Sequence, residues 1–279
     1  MAPKLSNSYT NETKSRIRQS GLVLLICDFD GALVPLADSP DAVHMAETVH
    51  SYLEKIVQLP SLRLGVISGR SPLDLKAKIP LQNCHYLCNH GLEIVGPELN
   101  FHHTSAERLR SDIHEAANTL RIQLRVENVI VEDRGLTAGL NYRNVMESQV
   151  SSLLAKARNL LASAVHQRKI RIEEGRRSLE ILPGLDWDRG KAVQMLYQNF
   201  RAFYPGTEIT LLYVGAESLD EPAFRFALQV GIPYRVTQTK ETNARFYLKM
   251  QAEISRVLKL VIENAPKKAP ERPIEKIVL

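Results

Sequence analysis

Two aspartates two residues apart, Asp28 and Asp30, stand at the end of the apolar run Leu22–Cys27 and directly before Gly31. A carboxylate there can attack phosphorus to give an aspartyl phosphate, and a second carboxyl group can protonate the leaving oxygen. A nearby Mg²⁺ would offset the repulsion between carboxylate and phosphate. On an extended backbone the two side chains face opposite ways. Both reach one ligand only if the chain bends, which Gly31 permits. By itself Asp-x-Asp also fits a solvated turn after a strand. Ser68 follows the apolar stretch Leu62–Ile67, and the acidic loop Gly215–Asp220 follows Ile209–Val214. Ligands of a parallel sheet bind outside the carboxyl ends of its strands, so the topology predicts that these three strand ends meet at one edge.

The elements that must position these groups can be read from periodicity. The run 22–27 suits a strand buried on both faces. Val43, Ala46, Val49, Leu53 and Ile56 recur at three- and four-residue spacing, a helix closed near Pro60. Strand, helix and strand in this order open a doubly wound parallel-sheet α/β core. The middle reads differently. Leu109, Ile113, Ala116 and Leu120 mark a helix, and Val129–Glu132 and Leu136–Tyr142 mark two short strands around Gly135. A long helix with Val150, Leu153, Leu154, Ala157, Leu160, Leu161 and Val165 on one face follows. Lys169–Glu173 and Ser178–Leu182 then form a hairpin about Gly175. This is an α+β unit inserted as a cap at 104–185, between core segments 19–103 and 186–263. Residues 1–18 form a polar lead-in. The α/β rhythm resumes with a helix after Gly190, a strand Ile209–Val214, a loop, and a long helix from about Glu241 to Ile262. The tail 264–279 is expected to be loosely held, with Ile277–Leu279 able to dock.

With 279 residues, 44% hydrophobic and 24% charged, the chain has globular composition and room for a core plus a smaller unit. The net charge of +5 would favour an anionic substrate, although a solvated surface with slightly more Lys and Arg than acid explains it better. It is too small and scattered for nucleic acid, and no basic helix or aromatic stacking series appears. The three cysteines Cys27, Cys84 and Cys88 form no CxxC pair, which argues against zinc and for a reducing compartment. The polar first fifteen residues lack the apolar core of a signal peptide, and no apolar run suits a membrane span. A soluble cytoplasmic protein is expected.

Asp28-Phe-Asp-Gly-Ala-Leu33 with Pro40-Asp-Ala42, followed by Val66-Ile-Ser-Gly-Arg70, resembles the opening motifs of the haloacid dehalogenase phosphatases. Asn89-His-Gly-Leu-Glu-Ile94, Val131-Glu-Asp-Arg-Gly-Leu136, Asn141-Tyr-Arg143 and Gly175-Arg-Arg-Ser-Leu-Glu-Ile-Leu-Pro183 are similar to the trehalose-6-phosphate phosphatase branch. Asp188-Arg-Gly190, Val214-Gly215 with Asp220-Glu-x-Ala-Phe224, and Thr242-x-Ala244 complete the series over residues 21–262. The resemblance implies Mg²⁺-dependent release of phosphate from trehalose 6-phosphate, with a trehalose-6-phosphate synthase as a partner. It implies Asp28 as nucleophile and Asp30 as general acid and base. Ser68, Gly69 and Arg189 would hold the phosphoryl oxygens, and Asp28, Asp30 with its backbone carbonyl, and a late acidic residue, Asp220 or else Glu217, would hold the metal. The cap would close over the sugar, with Arg143, Arg176 and Glu180 touching the substrate; each of these three also fits a surface charge in a strand. His90 and Glu93 match the pattern too, and a structural place at the sheet edge explains them equally.

The resemblance breaks in the late loop. The family pattern Gly-Asp-Asp-x-Thr-Asp-Glu-Asp is here Gly215-Ala-Glu-Ser-Leu-Asp-Glu-Pro222. Ala216 stands where an aspartate would ligate Mg²⁺, and the adjacent Glu217 points the other way on an extended segment. Arg189 replaces a lysine, Ala32 a threonine, Leu182 an arginine and Asn141 a histidine. A weakened metal site and an absent one both remain open. So do a member that binds a sugar phosphate or partner enzyme without turnover, and a phosphatase for another phosphorylated sugar.

Overall fold

The computed structural model describes residues 9–37, 39, 42–268 and 270. Pro40 and Asp41 of the opening motif, and the tail Ile277–Leu279, lie outside them. The first stretch carries α1 (Tyr9–Gln19), β1 (Leu22–Asp28), α2 (Glu47–Gln58), β2 (Leu62–Ile67), α3 (Pro72–Lys78), β3 (Cys84–Cys88), β4 (Glu93–Val95) and β5 (Asn100–His102). The middle carries α4 (Thr104–Arg108), α5 (Arg110–Gln123), β6 (Ile130–Asp133), β7 (Ala138–Asn141), α6 (Glu147–His166), β8 (Ile170–Gly175) and β9 (Ser178–Pro183). The last carries α7 (Arg189–Phe203), β10 (Ile209–Gly215), α8 (Glu221–Val230), β11 (Gly231–Val236), β12 (Phe246–Leu248) and α9 (Ile254–Asn264).

Eight strands form one sheet in the order β12-β11-β10-β1-β2-β3-β4-β5, parallel from β12 to β3 and antiparallel beyond. All seven residues of β1 are buried, because both faces of the sheet are covered. Val23, Leu25 and Cys27 pack with Val49, Leu53 and Ile56 of α2 and with Val257 and Leu258 of α9. Leu22, Leu24 and Ile26 pack on the other side with Val193, Leu196 and Phe200 of α7 and Phe224 of α8. This is the doubly wound arrangement. The winding reverses beside β1, which makes the gap between β1 and β10 the switch point where such sheets bind ligands. Register sets Cys27 opposite Val214 and Asp28 opposite Ile67, so the loops after β1, β2 and β10 open side by side.

Four strands between β5 and β10 form a second, antiparallel sheet in the order β6-β7-β9-β8. Its strand β9 alternates. Leu179 and Ile181 pack under α5 and α6, whereas Ser178 and Glu180 line a cavity shared with the large sheet.

Two expectations change. The polar lead-in is helical from Tyr9, with Thr13 and Ile17 buried. The long helix expected from Glu241 is a strand and then a shorter helix, Ile254–Asn264. Phe246-Tyr-Leu248 is buried and pairs in parallel with β11, and Glu221 accepts from both Asn243 N (2.7 Å) and Asn243 Nδ2 (3.0 Å), which fixes a turn ahead of it. Among the described residues no helix is long and apolar enough to cross a membrane.

Candidate active site

Asp28 closes β1 and is 1% exposed. Its Oδ1 accepts from Arg189 Nη1 at 3.0 Å, while Oδ2 is buried with no hydrogen-bond partner among the described residues. Burial pushes its pKa well above the ordinary carboxylate range. Arg189 opposes that push, and Asp220, Glu217 and Asp30 add to it.

Arg189 arrives on the first turn of α7, which Asp188 caps by accepting from Lys191 N at 2.8 Å. Gly190 lets that turn press on the first turn of α8, since a Cβ there would meet Pro222 backbone at 2.7 Å. The motif Asp188-Arg-Gly190 thus supplies a cap, a cation and a close approach. Besides Asp28, Arg189 Nη1 donates to Asp220 Oδ1 at 2.6 Å, and Nε donates to His90 Nδ1 at 3.3 Å. Burial works against the guanidinium charge, and Asp28 and Asp220 more than restore it.

Asp30 sits on the loop after β1, where Gly31 has φ +94° and turns the chain back. Both of its oxygens are held by Arg70, Nε to Oδ2 and Nη2 to Oδ1, each at 2.9 Å. This two-pronged fork is among the stronger side-chain pairings. Ser68 Oγ also donates to Asp30 Oδ2, at 3.2 Å.

The second sheet covers this edge. Thr137 Oγ1 donates to Asn89 Oδ1 at 2.7 Å, and Arg143 Nη1 donates to the Ala37 carbonyl at 2.7 Å. Glu180 accepts from Arg134 Nη1 at 2.7 Å and lies 3.2 Å from His90 Nε2. Because His90 Nδ1 accepts from Arg189, Nε2 carries the proton and donates to Glu180. Burial lowers the His90 pKa, which agrees with a neutral ring. Burial alone would raise the Glu180 pKa, but Arg134 and His90 hold it well below the usual range. A cavity of about 60 Å³ remains between the sheets, lined by Asp30, Gly69, Arg143, Glu180, Arg189 and Glu217 among others. Arg176 lies elsewhere. It lines a neighbouring cavity with Arg143, Gly31 and Gln251.

The trehalose-phosphatase family model matches residues 26–252. The chain belongs to the trehalose-phosphatase family. An uncharacterized glycosyl hydrolase of Mycobacterium tuberculosis is 28% identical over 222 residues, which are 78% of this chain and 16% of that protein. A probable trehalose-phosphate phosphatase D of Arabidopsis thaliana is 24% identical over 254 residues, 86% of this chain and 67% of that one. The chain therefore spans about a sixth of the mycobacterial relative. The C-terminal domain of Candida albicans trehalose-6-phosphate phosphatase shares the fold, with a TM-score of 0.79 at 16% identity, covering 94% of this chain and 98% of that one.

The family relation raises the question of Mg²⁺, and the donor set answers it. Asp30 spends both oxygens on Arg70. Asp220 spends Oδ1 on Arg189 and Tyr213, and Oδ2 on the backbone N–H groups of Ala216 and Glu217. Ala216 offers no oxygen. Among the described residues no group of three or more His, Cys, Asp or Glu is placed to hold a metal. Mg²⁺ asks for oxygen ligands in near-octahedral order. Of the six carboxylate oxygens of Asp28, Asp30 and Asp220 only Asp28 Oδ2 is without a partner, and with Ala216 in the loop the aspartates as paired here do not fit the ion.

Glu217 lines the cavity, and burial raises its pKa from 4.5 to about 7, with Arg189 opposing and Asp220 adding. A folded-state pKa above the unfolded one favours the protonated form, so folding loses stability as pH rises from 4.5 through 7. Glu217→Gln should remove that loss, making the variant more stable than the parent by up to about 3 kcal/mol at pH 8 and little different at pH 4. Urea unfolding at the two pH values measures it; an equal difference at both would contradict the assignment.

His90, Arg70 and Arg134 join the site without having been assigned a role from sequence. Each lies inside a motif that the resemblance used, which was the available signal. Their pairings across the site, with Asp30, Glu180 and Arg189, join residues 40 to 99 positions apart in sequence. Glu93, by contrast, accepts from Asn89 Nδ2 at 2.6 Å and braces the turn that carries His90.

Proposed function

We propose that this chain hydrolyses a sugar phosphomonoester, with trehalose 6-phosphate as the substrate. Asp28 carries the reading: a buried carboxylate at the switch point, one oxygen held by Arg189 and the other without a partner. In this reading Oδ2 attacks phosphorus, the bond from phosphorus to the sugar oxygen breaks, and that oxygen takes a proton from Asp30, which acquires it from solvent once one of its oxygens has left Arg70. Water then attacks phosphorus of the aspartyl phosphate and gives a proton to Asp30. Inorganic phosphate leaves and Asp28 is restored. Asp30 has to exchange part of its hold on Arg70 for the substrate during these steps. Arg189 offsets repulsion between Asp28 and the phosphate, Gly69 borders the same cavity, and Ser68 lies behind it with its hydroxyl on Asp30. Mg²⁺ is given no step, since the donor set does not fit it.

The family relation supports the choice of sugar. Arg143 and Glu180 line the cavity and are the proposed sugar contacts, whereas Arg176 is given none. A space of about 60 Å³ admits a few waters and no disaccharide. The second sheet therefore has to lift, breaking the Glu180–His90 and Thr137–Asn89 contacts, before substrate enters. Its return would exclude bulk water from the acyl phosphate. Phosphate release from trehalose 6-phosphate, beside glucose 6-phosphate and sucrose 6-phosphate, tests the assignment. Preference for the trehalose ester is expected, and equal or absent release would contradict it.

A further inference from the structure

Asp28 and Asp220 bury two carboxylates against one guanidinium, where an unpaired charge is costly. The compensating cation is part of the chain. Arg189 is 5% exposed and sets a single nitrogen, Nη1, 3.0 Å from Asp28 and 2.6 Å from Asp220. Its Nε is engaged with His90. Its Nη2 has no hydrogen-bond partner among the described residues, and the side chain lines the cavity in which a phosphoryl group would sit.

Five of the six carboxylate oxygens of Asp28, Asp30 and Asp220 are taken by donors of the chain itself. Arg70 grips Asp30, and four donors fill Asp220. The Ala216 methyl faces the turn after Asp30, because a Cβ built on Gly31 would lie 2.9 Å from it. Position 216 thus looks at the loop bearing both aspartates and brings it no oxygen.

We infer that Arg189 serves this phosphoryl site in place of a divalent cation, so that inorganic phosphate and phosphate monoesters bind there without metal. The inference rests on the site proposed above for hydrolysis. A guanidinium presents a rigid fork suited to phosphate and stays charged at any working pH. Tethered to α7 and braced by Asp28, Asp220 and His90, it cannot be removed by a chelator. Binding should then be indifferent to divalent ions.

Calorimetric titration of the full chain tests this in two arms, one with MgCl₂ alone and one with inorganic phosphate in either EDTA or MgCl₂. The expected result is no saturable heat with MgCl₂, and a phosphate Kd that agrees within about twofold between the two buffers. Arg189→Lys should weaken phosphate binding in EDTA by roughly tenfold or more, as expected for lost charge-assisted hydrogen bonds. Ala216→Asp should gain saturable Mg²⁺ binding, since it brings a carboxylate to the turn at Gly31 that follows Asp28 and Asp30. Circular dichroism confirms that each variant is folded, and the wild-type arms decide the question even if one is not. Saturable Mg²⁺ binding by the wild type would overturn the inference, as would phosphate binding that vanishes in EDTA or is absent in both buffers. Failure of the hydrolytic reading looks different: phosphate binds in EDTA, yet trehalose 6-phosphate is never cleaved.

Discussion

Asp28→Asn will cut phosphate release from trehalose 6-phosphate by at least about three orders of magnitude, leaving the chain folded. The amide keeps the shape of the side chain and removes its nucleophilic oxygen, so the aspartyl phosphate cannot form. Loss of activity through unfolding would be a trivial alternative, and the buried geometry speaks against it. Burial disfavours the charged form of Asp28, with Asp220, Glu217 and Asp30 adding to that cost. A neutral amide relieves it, while Arg189 keeps its contact with Asp220. The variant should therefore melt no lower than the parent. Thermal unfolding monitored beside the phosphate assay checks both halves, and residual turnover within tenfold of wild type would remove Asp28 from the chemistry.

The largest effect on stability is expected at Arg189. Arg189→Met fills much of the same volume but leaves Asp28 and Asp220 facing each other with no cation between them. Breaking a buried ion pair from one side costs about 3–5 kcal/mol. For a chain of this size that corresponds to a fall in Tm of roughly 6–20 °C. Arg189→Lys keeps the charge and should fall much less, though a single ammonium cannot span Asp28, Asp220 and His90 as the fork does. If Arg189→Met melted like the wild type, the two carboxylates would have to be neutral already, and the guanidinium would not be their counterion.

Much of the fold is legible in the sequence because its signals are local. Six of the seven buried residues of β1, Leu22–Cys27, form an unbroken apolar run, and the α2 stripe Val49, Leu53 and Ile56 repeats at helical spacing. Strand β12 is illegible for the opposite reason. Three residues flanked by polar chain carry no period, and only pairing with β11 makes them a strand. At the site, the spacing of Asp28 and Asp30 and the capped turn at Asp188 declare themselves by residue type. The destination of each charge does not. Asp30 could have been left open to a metal, and its engagement by Arg70 is a choice of long-range pairing that no spacing rule encodes. Arg176, whose motif position suggests the substrate, stands in the turn between β8 and β9 and lines a neighbouring cavity with Arg143, a placement that its motif alone does not encode.

The most direct test of the central claim is to trap the covalent intermediate. Wild-type chain mixed with trehalose 6-phosphate, quenched in acid and digested, should yield a peptide phosphorylated on Asp28, and borohydride should reduce that acyl phosphate to homoserine at the same position. The Asp28→Asn chain should give neither product. Turnover of trehalose 6-phosphate with no label on Asp28, or with the label on another residue, would contradict the account.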